Sequence, residues 1–367
     1  MSSSTLTAEE KFAGCLLGGA IGDALGAPIE FLSLDRIREQ FGEKGVTDFH
    51  PVYGKLGAIT DDTQMTLFTA EGVLRGLVRA RARGIGSAQV AIVHGSYLRW
   101  LKTQVSDYDP ERALGDGWLI GHEALWSARA PGNTCLSSLE ACRNLTGSPA
   151  SNDSKGCGTV MRVAPIGFVY DDDLAYRLGK ETSALTHGHP TASIAAGALC
   201  IIISQLKNDT SLDVAVAAAL EVVQADEMAL GVPGETSQAI EQAVALAQSG
   251  DDPSPELVES LGAAWIAEEA LAISIYCALV ARDFSHGVLL AVNHGGDSDS
   301  TGAITGNLLG LIFGCEQIPP GWRQAVELNE LIVQVARDLV EIPANYFPDD
   351  EDRRAYCADV LRRYPAR

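Results

Sequence analysis

Apolar residues recur at every third and fourth position along most of this chain, and the every-second-residue alternation of strands is nearly absent. That pattern marks helices over 8–25, 61–82, 88–104, 192–207, 212–226, 236–249, 263–281, 302–314 and 322–341. Many of these segments are rich in alanine and leucine, which lose little on entering a helix. No repeat with a period of about 20–50 residues and no low-complexity linker divides them. The expectation is an all-α fold, a single compact multi-helix domain over 1–367 with 1–8 as a flexible tail.

Composition excludes several functions. Hydrophobic residues make up 46% of the chain, ample for a core, yet the longest apolar run, 194–206, is short for a membrane span and ends next to lysine. The N-terminal residues lack a basic region followed by an apolar stretch and a cleavage site. The eight cysteines form no CxxC pair and sit mostly in apolar surroundings, as reduced thiols do. A cytoplasmic protein with no membrane partner is expected. A formal charge of −21 argues against nucleic acid, because phosphate backbones want a basic face. An anionic small ligand would need a cation, helix N-termini or backbone N–H groups to offset that charge.

The chemistry-bearing residues collect in glycine-rich joints between helices: "GGAIGDALGAPIEF" (18–31), "GAITDDTQMT" (57–66), "APGNT" (130–134) with "SNDSKGCGTVMRVAP" (151–165), "THGHP" (186–190) and "NHGGDSDSTGAITGN" (293–307). Thr60, Asp61 and Asp62 stand at a helix start. An N-cap there is worth roughly 0.5–2 kcal/mol but needs only one side-chain oxygen. Asp297, Asp299 and Ser300 likewise precede a helix expected to begin near Gly302. Asp297, Asp299 and Thr301 fall at the first, third and fifth positions of an EF-hand loop with Gly302 at the sixth, but Leu308 stands where the bidentate glutamate belongs, which rules that loop out. Hard oxygen donors without a nearby Cys or His pair favour Mg²⁺, Mn²⁺ or Ca²⁺. Four aspartates brought together cannot all stay ionised without cations, and two divalent ions resolve that conflict. Asp23 fits a structural hydrogen bond in the bundle, and Glu30 fits either a ligand or a general base. His187 and His189 lie in a turn. No GxSxG, HExxH or CxxC motif supports other chemistries.

Taken in order, "GCLLGGAIGDALGAPIEF", "TDDTQMT", "SKGCGTVMRVAPIG", "THGHP" and "GGDSDSTGAITGN" resemble the ADP-ribosylglycohydrolases over nearly the whole chain. The resemblance implies an all-α fold of that type with a binuclear metal cleft holding two divalent cations, Mg²⁺ or Mn²⁺. Its metal ligands fall on Thr60, Asp61, Asp62, Asp297, Asp299 and Ser300, and its catalytic or gating glutamate on Glu30. Its ADP-ribose loop falls on Ser154, Lys155, Gly156, Cys157 and Gly158, and its ribose- or phosphate-contacting histidine on His187. Ser300 replaces a threonine common in relatives and keeps the hydroxyl. Cys157 replaces an asparagine, which alters a polar contact to ligand.

The implied reaction is metal-dependent removal of ADP-ribose from a modified protein side chain, arginine foremost, through an oxocarbenium-like state. Glu30, Asp61 or Asp62 would take the proton of the attacking water. The expected partner is an ADP-ribosylated protein. A second reading is a binding or immunity protein that neutralises an ADP-ribosyltransferase. A third is another two-metal hydrolase such as a phosphoesterase, although His294 is the only histidine next to either acidic cluster.

Overall fold

Glycine recurs every fourth residue in the first helical segment, at Gly14, Gly18, Gly22 and Gly26, and again in a late one, at Gly302, Gly306 and Gly310. Residues four apart share one face of a helix, so each segment carries a strip bare of side chains. In the computed structural model, which describes residues 6–105, 116–142 and 147–366, the two strips face each other. A Cβ added at Gly22 would lie 1.9 Å from the Gly302 carbonyl oxygen, and one at Gly18 or Gly14 would lie 2.3 Å from that of Gly306 or Gly310. The backbones therefore touch. The pairing runs antiparallel, so the end of the first helix lies against the start of the late one.

Among the described residues seventeen α-helices and no strand are seen. They begin with α1 (Ala8–Gly26), α2 (Leu34–Phe41), α3 (Asp61–Arg83), α4 (Gln89–Gln104), α5 (Asn133–Ala141) and α6 (Ala164–Val169). Next come α7 (Asp172–Ser183), α8 (Pro190–Lys207), α9 (Leu212–Leu230), α10 (Glu235–Ala247), α11 (Pro255–Glu259) and α12 (Ala267–Leu279). The chain closes with α13 (Phe284–Val292), α14 (Ser298–Phe313), α15 (Pro320–Ala325), α16 (Asn329–Asn345) and α17 (Arg354–Arg363). The central pair α1–α14 is flanked by α12, α13 and α16, while α3 packs on α4 and α16, and α8 on α7 and α9. Helix α8 has the length and composition of a membrane span, extending the expected 194–206 run to 18 residues, but 83% of it is buried inside the fold. Of the cysteines, Cys15, Cys135, Cys200, Cys277 and Cys357 are buried.

Four boundaries differ from expectation, among them α9, which runs on to Leu230 where a helix over 212–226 was expected. Helix α14 starts at Ser298 instead of near Gly302, because the Asp297 carboxylate accepts from Ser300 N at 3.4 Å and its carbonyl from Thr301 N at 3.2 Å. The segment 322–341 splits into α15 and α16, since Leu328 adopts a left-handed φ of 61°. The helix expected over 263–281 begins at Ala267, because Gly262 (φ 127°) and Ala264 (φ 64°) hold backbone that no right-handed helix contains. Of the expected tail, residues 1–5 lie outside the described residues, and Thr7 caps α1 in a capping box with Glu10. The acidic run at 171–173 opens α7, where Asp172 accepts from Ser204 and Gln205, so it is more than solvated surface.

The glycine contact yields a test. Gly22→Ala should destabilise the protein by roughly 1–3 kcal/mol or more in equilibrium denaturation, because backbone has no rotamer with which to yield. Gly321→Ala, whose Cβ would meet nothing within 4 Å, should stay within about 1 kcal/mol of the parent. Equal stability of the two variants would refute a backbone-to-backbone contact.

Candidate functional site

The antiparallel α1–α14 contact brings the turn after α1 beside the first turn of α14. Ser298 ties the two together, its hydroxyl donating to the Gly26 carbonyl at 3.0 Å. Glu30 follows that turn, and its carboxylate lies within 4.8 Å of those of Asp297 and Asp299, all three buried. Helix α3 is brought in by Asp23 of α1. Both Asp23 oxygens lie 3.0 Å from Thr60 N, and Oδ2 also accepts from Thr63 N at 3.1 Å and from the Thr63 hydroxyl. Asp23 is thus the structural hydrogen-bonding group its position suggested. A second clamp holds the approach to α3: the Arg129 guanidinium donates to Ile59 O at 3.0 Å and to the Glu327 carboxylate at 2.8 Å, while Asp61 N donates to Arg129 O at 3.1 Å.

The result is a cleft of about 210 Å³ whose lining includes Glu30, Asp61, Asp62, Asp297, Asp299 and Ser300 on one side and Gly156, Cys157, Gly158 and His187 on the other. Two expected residues of the loop do not line it. Lys155 pairs with Glu268 and, at 3.0 Å, with Glu235, and Ser154 lies 3.3 Å from the Thr134 hydroxyl. Thr60 does not line it either; it caps α3, its hydroxyl accepting from Asp62 N at 3.3 Å. Cys157 points at the acidic cluster, with its thiol 2.6 Å from Asp297 Oδ2 and the Ser300 hydroxyl 3.7 Å from its sulfur.

No lysine or arginine lines this cleft among the described residues, so five carboxylates share it without a counter-charge. Burial, reinforced by Asp297, Asp61 and Asp23, pushes Glu30 up to about 8. Burial likewise drives Asp61, Asp62 and Asp299 well above the ordinary carboxylate range, with neighbouring carboxylates adding to it. Asp23 rises to about 6 for the same leading reason, against the pull of its four hydrogen bonds. Glu30 Oε2 and Asp62 Oδ1 are buried and have no hydrogen-bond partner. Buried oxygens left this way normally find a partner, and the donor set here, all hard oxygen apart from the Cys157 thiol, suits a divalent cation. His294 does not join the cluster; its ring bonds Thr301 at 3.0 Å.

Sequence reasoning singled out the 130–134 joint, and the 151–165 joint that holds Met161, without giving either of these cleft segments that role, and it did not mark Trp265 or Cys135. Trp265 was hidden inside a helical pattern. It instead lies in a bend just before α12, where its carbonyl accepts from Cys157 N at 3.2 Å while Ala267 N donates to Lys155 O at 2.8 Å. These bonds anchor the loop. Trp265, 44% exposed, stacks on Phe31, 73% exposed, at 5.7 Å, forming an aromatic lip beside Glu30.

Comparison with known proteins fits this arrangement. The profile of the ADP-ribosylglycohydrolase family matches residues 4–347. The ADP-ribosyl-[dinitrogen reductase] glycohydrolase of Rhodospirillum rubrum is 26% identical, covering 90% of this chain and 93% of that protein. The ADP-ribosylarginine hydrolase Tri1 of Serratia proteamaculans is 24% identical, covering 94% and 81%. A solved ADP-ribosylglycohydrolase-related protein complex superimposes with a TM-score of 0.65 at 25% identity, covering 92% of this chain and 99% of that one. A profile match over all the elements that build the cleft leaves one conclusion: the chain belongs to the ADP-ribosylglycohydrolase family.

Proposed function

We propose that this protein is a metal-dependent hydrolase that releases ADP-ribose from modified protein side chains, arginine foremost. The observation that carries the proposal is the cluster of five buried carboxylates facing a glycine loop and a histidine across one small cleft. Hydrolysis of an ADP-ribosyl bond needs both halves: one to organise the ribose at the breaking bond, the other to receive the diphosphate. Relatives named for ADP-ribosyl-dinitrogen reductase and for ADP-ribosylarginine support protein-linked substrates. The buried thiols of Cys15, Cys135, Cys200, Cys277 and Cys357 suit a reducing cytoplasm.

The cleft residues fit two divalent cations, Mg²⁺ or Mn²⁺, which Asp61, Asp62, Asp297, Asp299 and Ser300 would hold, while Thr60, expected as a further ligand, caps α3 behind them. Bound there, such cations would supply Lewis acidity at the ribose and offset the like charges. The remaining work falls to the chain. Glu30, with an unpartnered Oε2 beside Asp297 and Asp299, is best placed to take a proton from water as that water's oxygen bonds to the anomeric carbon. The bond from that carbon to the side-chain nitrogen breaks, and the nitrogen leaves with the proton that Glu30 took from the water. Gly156 and Gly158 leave room for the diphosphate, and the Phe31–Trp265 lip borders the entrance for the modified chain.

Release of ADP-ribose from an arginine-modified protein should need Mg²⁺ or Mn²⁺ and stop in EDTA. Asp61→Ala and Glu30→Gln should each lower kcat by about a hundredfold or more, measured as free ADP-ribose. Full turnover by metal-free enzyme would sink the proposal. Stability offers a separate check. Without cations the folded Glu30 and Asp23 titrate at about 8 and about 6, above their unfolded values of 4.5 and 3.8. The folded state then binds protons that the unfolded chain has released, so stability present at low pH is lost as pH rises through those values. In EDTA the Tm should therefore fall between about pH 5 and about pH 8, and Mg²⁺ should flatten the decline. Asp299→Asn should raise the Tm in EDTA at the upper end and abolish the Mg²⁺ effect.

A further inference from the structure

Behind the cleft lies a cation that the reaction scheme leaves idle. Arg162 is fully buried. Its Nη2 donates to the Thr186 hydroxyl at 2.7 Å and to Thr182 O at 3.3 Å. Its Nη1 approaches the Cys135 sulfur at 3.4 Å and that of Met65 at 3.7 Å, and the guanidinium lies 4.4 Å from the centre of the Tyr97 ring. None of these partners is a carboxylate. In a protein of net charge −21, a buried guanidinium without an acid beside it is conspicuous.

Its contact with Thr186 decides a proton elsewhere. A guanidinium only donates, so the Thr186 oxygen must accept from Arg162. The hydroxyl proton then has three neighbours: His187 Nδ1 at 2.8 Å, Ser183 O at 3.4 Å and the Cys135 sulfur, a weak acceptor. The first is an ordinary hydrogen-bond length and the second is beyond the usual O–H···O range. Donation to Nδ1 makes that nitrogen the acceptor, and a neutral imidazole must then carry its proton on Nε2. Burial and the Arg162 charge both hold the ring neutral, pushing it down to about 3. The ring edge bearing Nε2 faces the glycine loop: a Cβ at Gly156 would lie 3.0 Å from Nε2, and one at Gly158 would lie 3.3 Å from Cε1. His187 and both glycines line the cleft.

We propose that Arg162, acting through the Thr186 hydroxyl, is a positioning residue that fixes His187 as the Nε2–H tautomer, so that the cleft presents a neutral N–H donor to an acceptor oxygen of the ligand. Resting on the hydrolase reading above, that oxygen belongs to the diphosphate of ADP-ribose. The opposite tautomer would turn a lone pair toward the diphosphate and repel it, adding to the repulsion from the carboxylates across the cleft. The relay thus turns a donor toward the phosphate oxygens, and it does so with a charge kept out of the cleft.

Histidine nitrogen NMR of the full chain reads the tautomer directly, the His187 signals being identified among the seven histidines by their loss in His187→Gln. The expected spectrum at neutral pH has Nε2 protonated and Nδ1 bare. Thr186→Val should release the preference and weaken ADP-ribose binding, measured calorimetrically with Mg²⁺ present, by about tenfold. Thr186→Ser should restore both. A wild-type His187 protonated on Nδ1, or a tautomer unmoved in Thr186→Val, overturns the relay. If Thr186→Val does not fold, the wild-type and Thr186→Ser spectra still decide the matter. Because the spectrum needs no ligand, absence of ADP-ribose binding or hydrolysis would count against the hydrolase reading alone.

Discussion

The contact on which the rest of this structure depends is the side-chain-free approach of α1 to α14. Glycine at every fourth position on both helices lets carbonyls of one backbone sit where Cβ atoms would otherwise stand. Because the helices run antiparallel, the approach sets two chain ends together: the turn carrying Glu30 and the first turn carrying Asp299 and Ser300. Segments some 270 residues apart in sequence thereby meet at hydrogen-bonding distance, as the Ser298–Gly26 bond shows. Larger residues at the strip would separate the helix axes and pull the carboxylates out of reach of a shared ion. Asp23, on the same helix, extends the arrangement to α3 by collecting the N–H groups of Thr60 and Thr63.

Packing strong enough to force carboxylates together also creates an electrostatic conflict. Glu30, Asp61, Asp62, Asp297 and Asp299 are buried, lack a lysine or arginine among them, and are all shifted toward the protonated form. A fold selected for stability alone would not keep this cluster. A divalent cation can gather several of these oxygens into one shell around a single point, which the planar fork of a guanidinium does not do. Local destabilisation of the empty cluster and affinity for a cation are two sides of the same charge density.

The opposite wall follows a different logic. The loop 154–158 has little secondary structure of its own, and its shape comes from the two-way hydrogen bonding with residues 265–267 at the start of α12. Lys155, the one cation of the loop, is held outward by Glu235 and Glu268. Positive potential reaches the cleft from behind instead, from Arg162 through Thr186 to His187. An acidic protein can then receive an anionic ligand without placing a cation where it would collapse onto the carboxylates.

Helical class was legible in the sequence because the hydrophobic period is a local property, repeated over nine segments. The acidic clusters were legible for a related reason. Thr-Asp-Asp at 60–62 and Asp-Ser-Asp-Ser at 297–300 carry more oxygens than a cap uses, and that surplus is visible without coordinates. Start positions were less so: α14 begins four residues earlier than the apolar pattern suggests, since a cap depends on one hydrogen bond and not on periodicity. The order of motifs along the chain determined the family. Tertiary structure alone decided which motifs share a cleft, that Thr60, Ser154 and Lys155 turn to structural partners, and that Trp265, Cys135 and Arg162 stand around the site. Each of those outcomes rests on contacts between distant segments, and a single chain read in order contains their ingredients but not their distances.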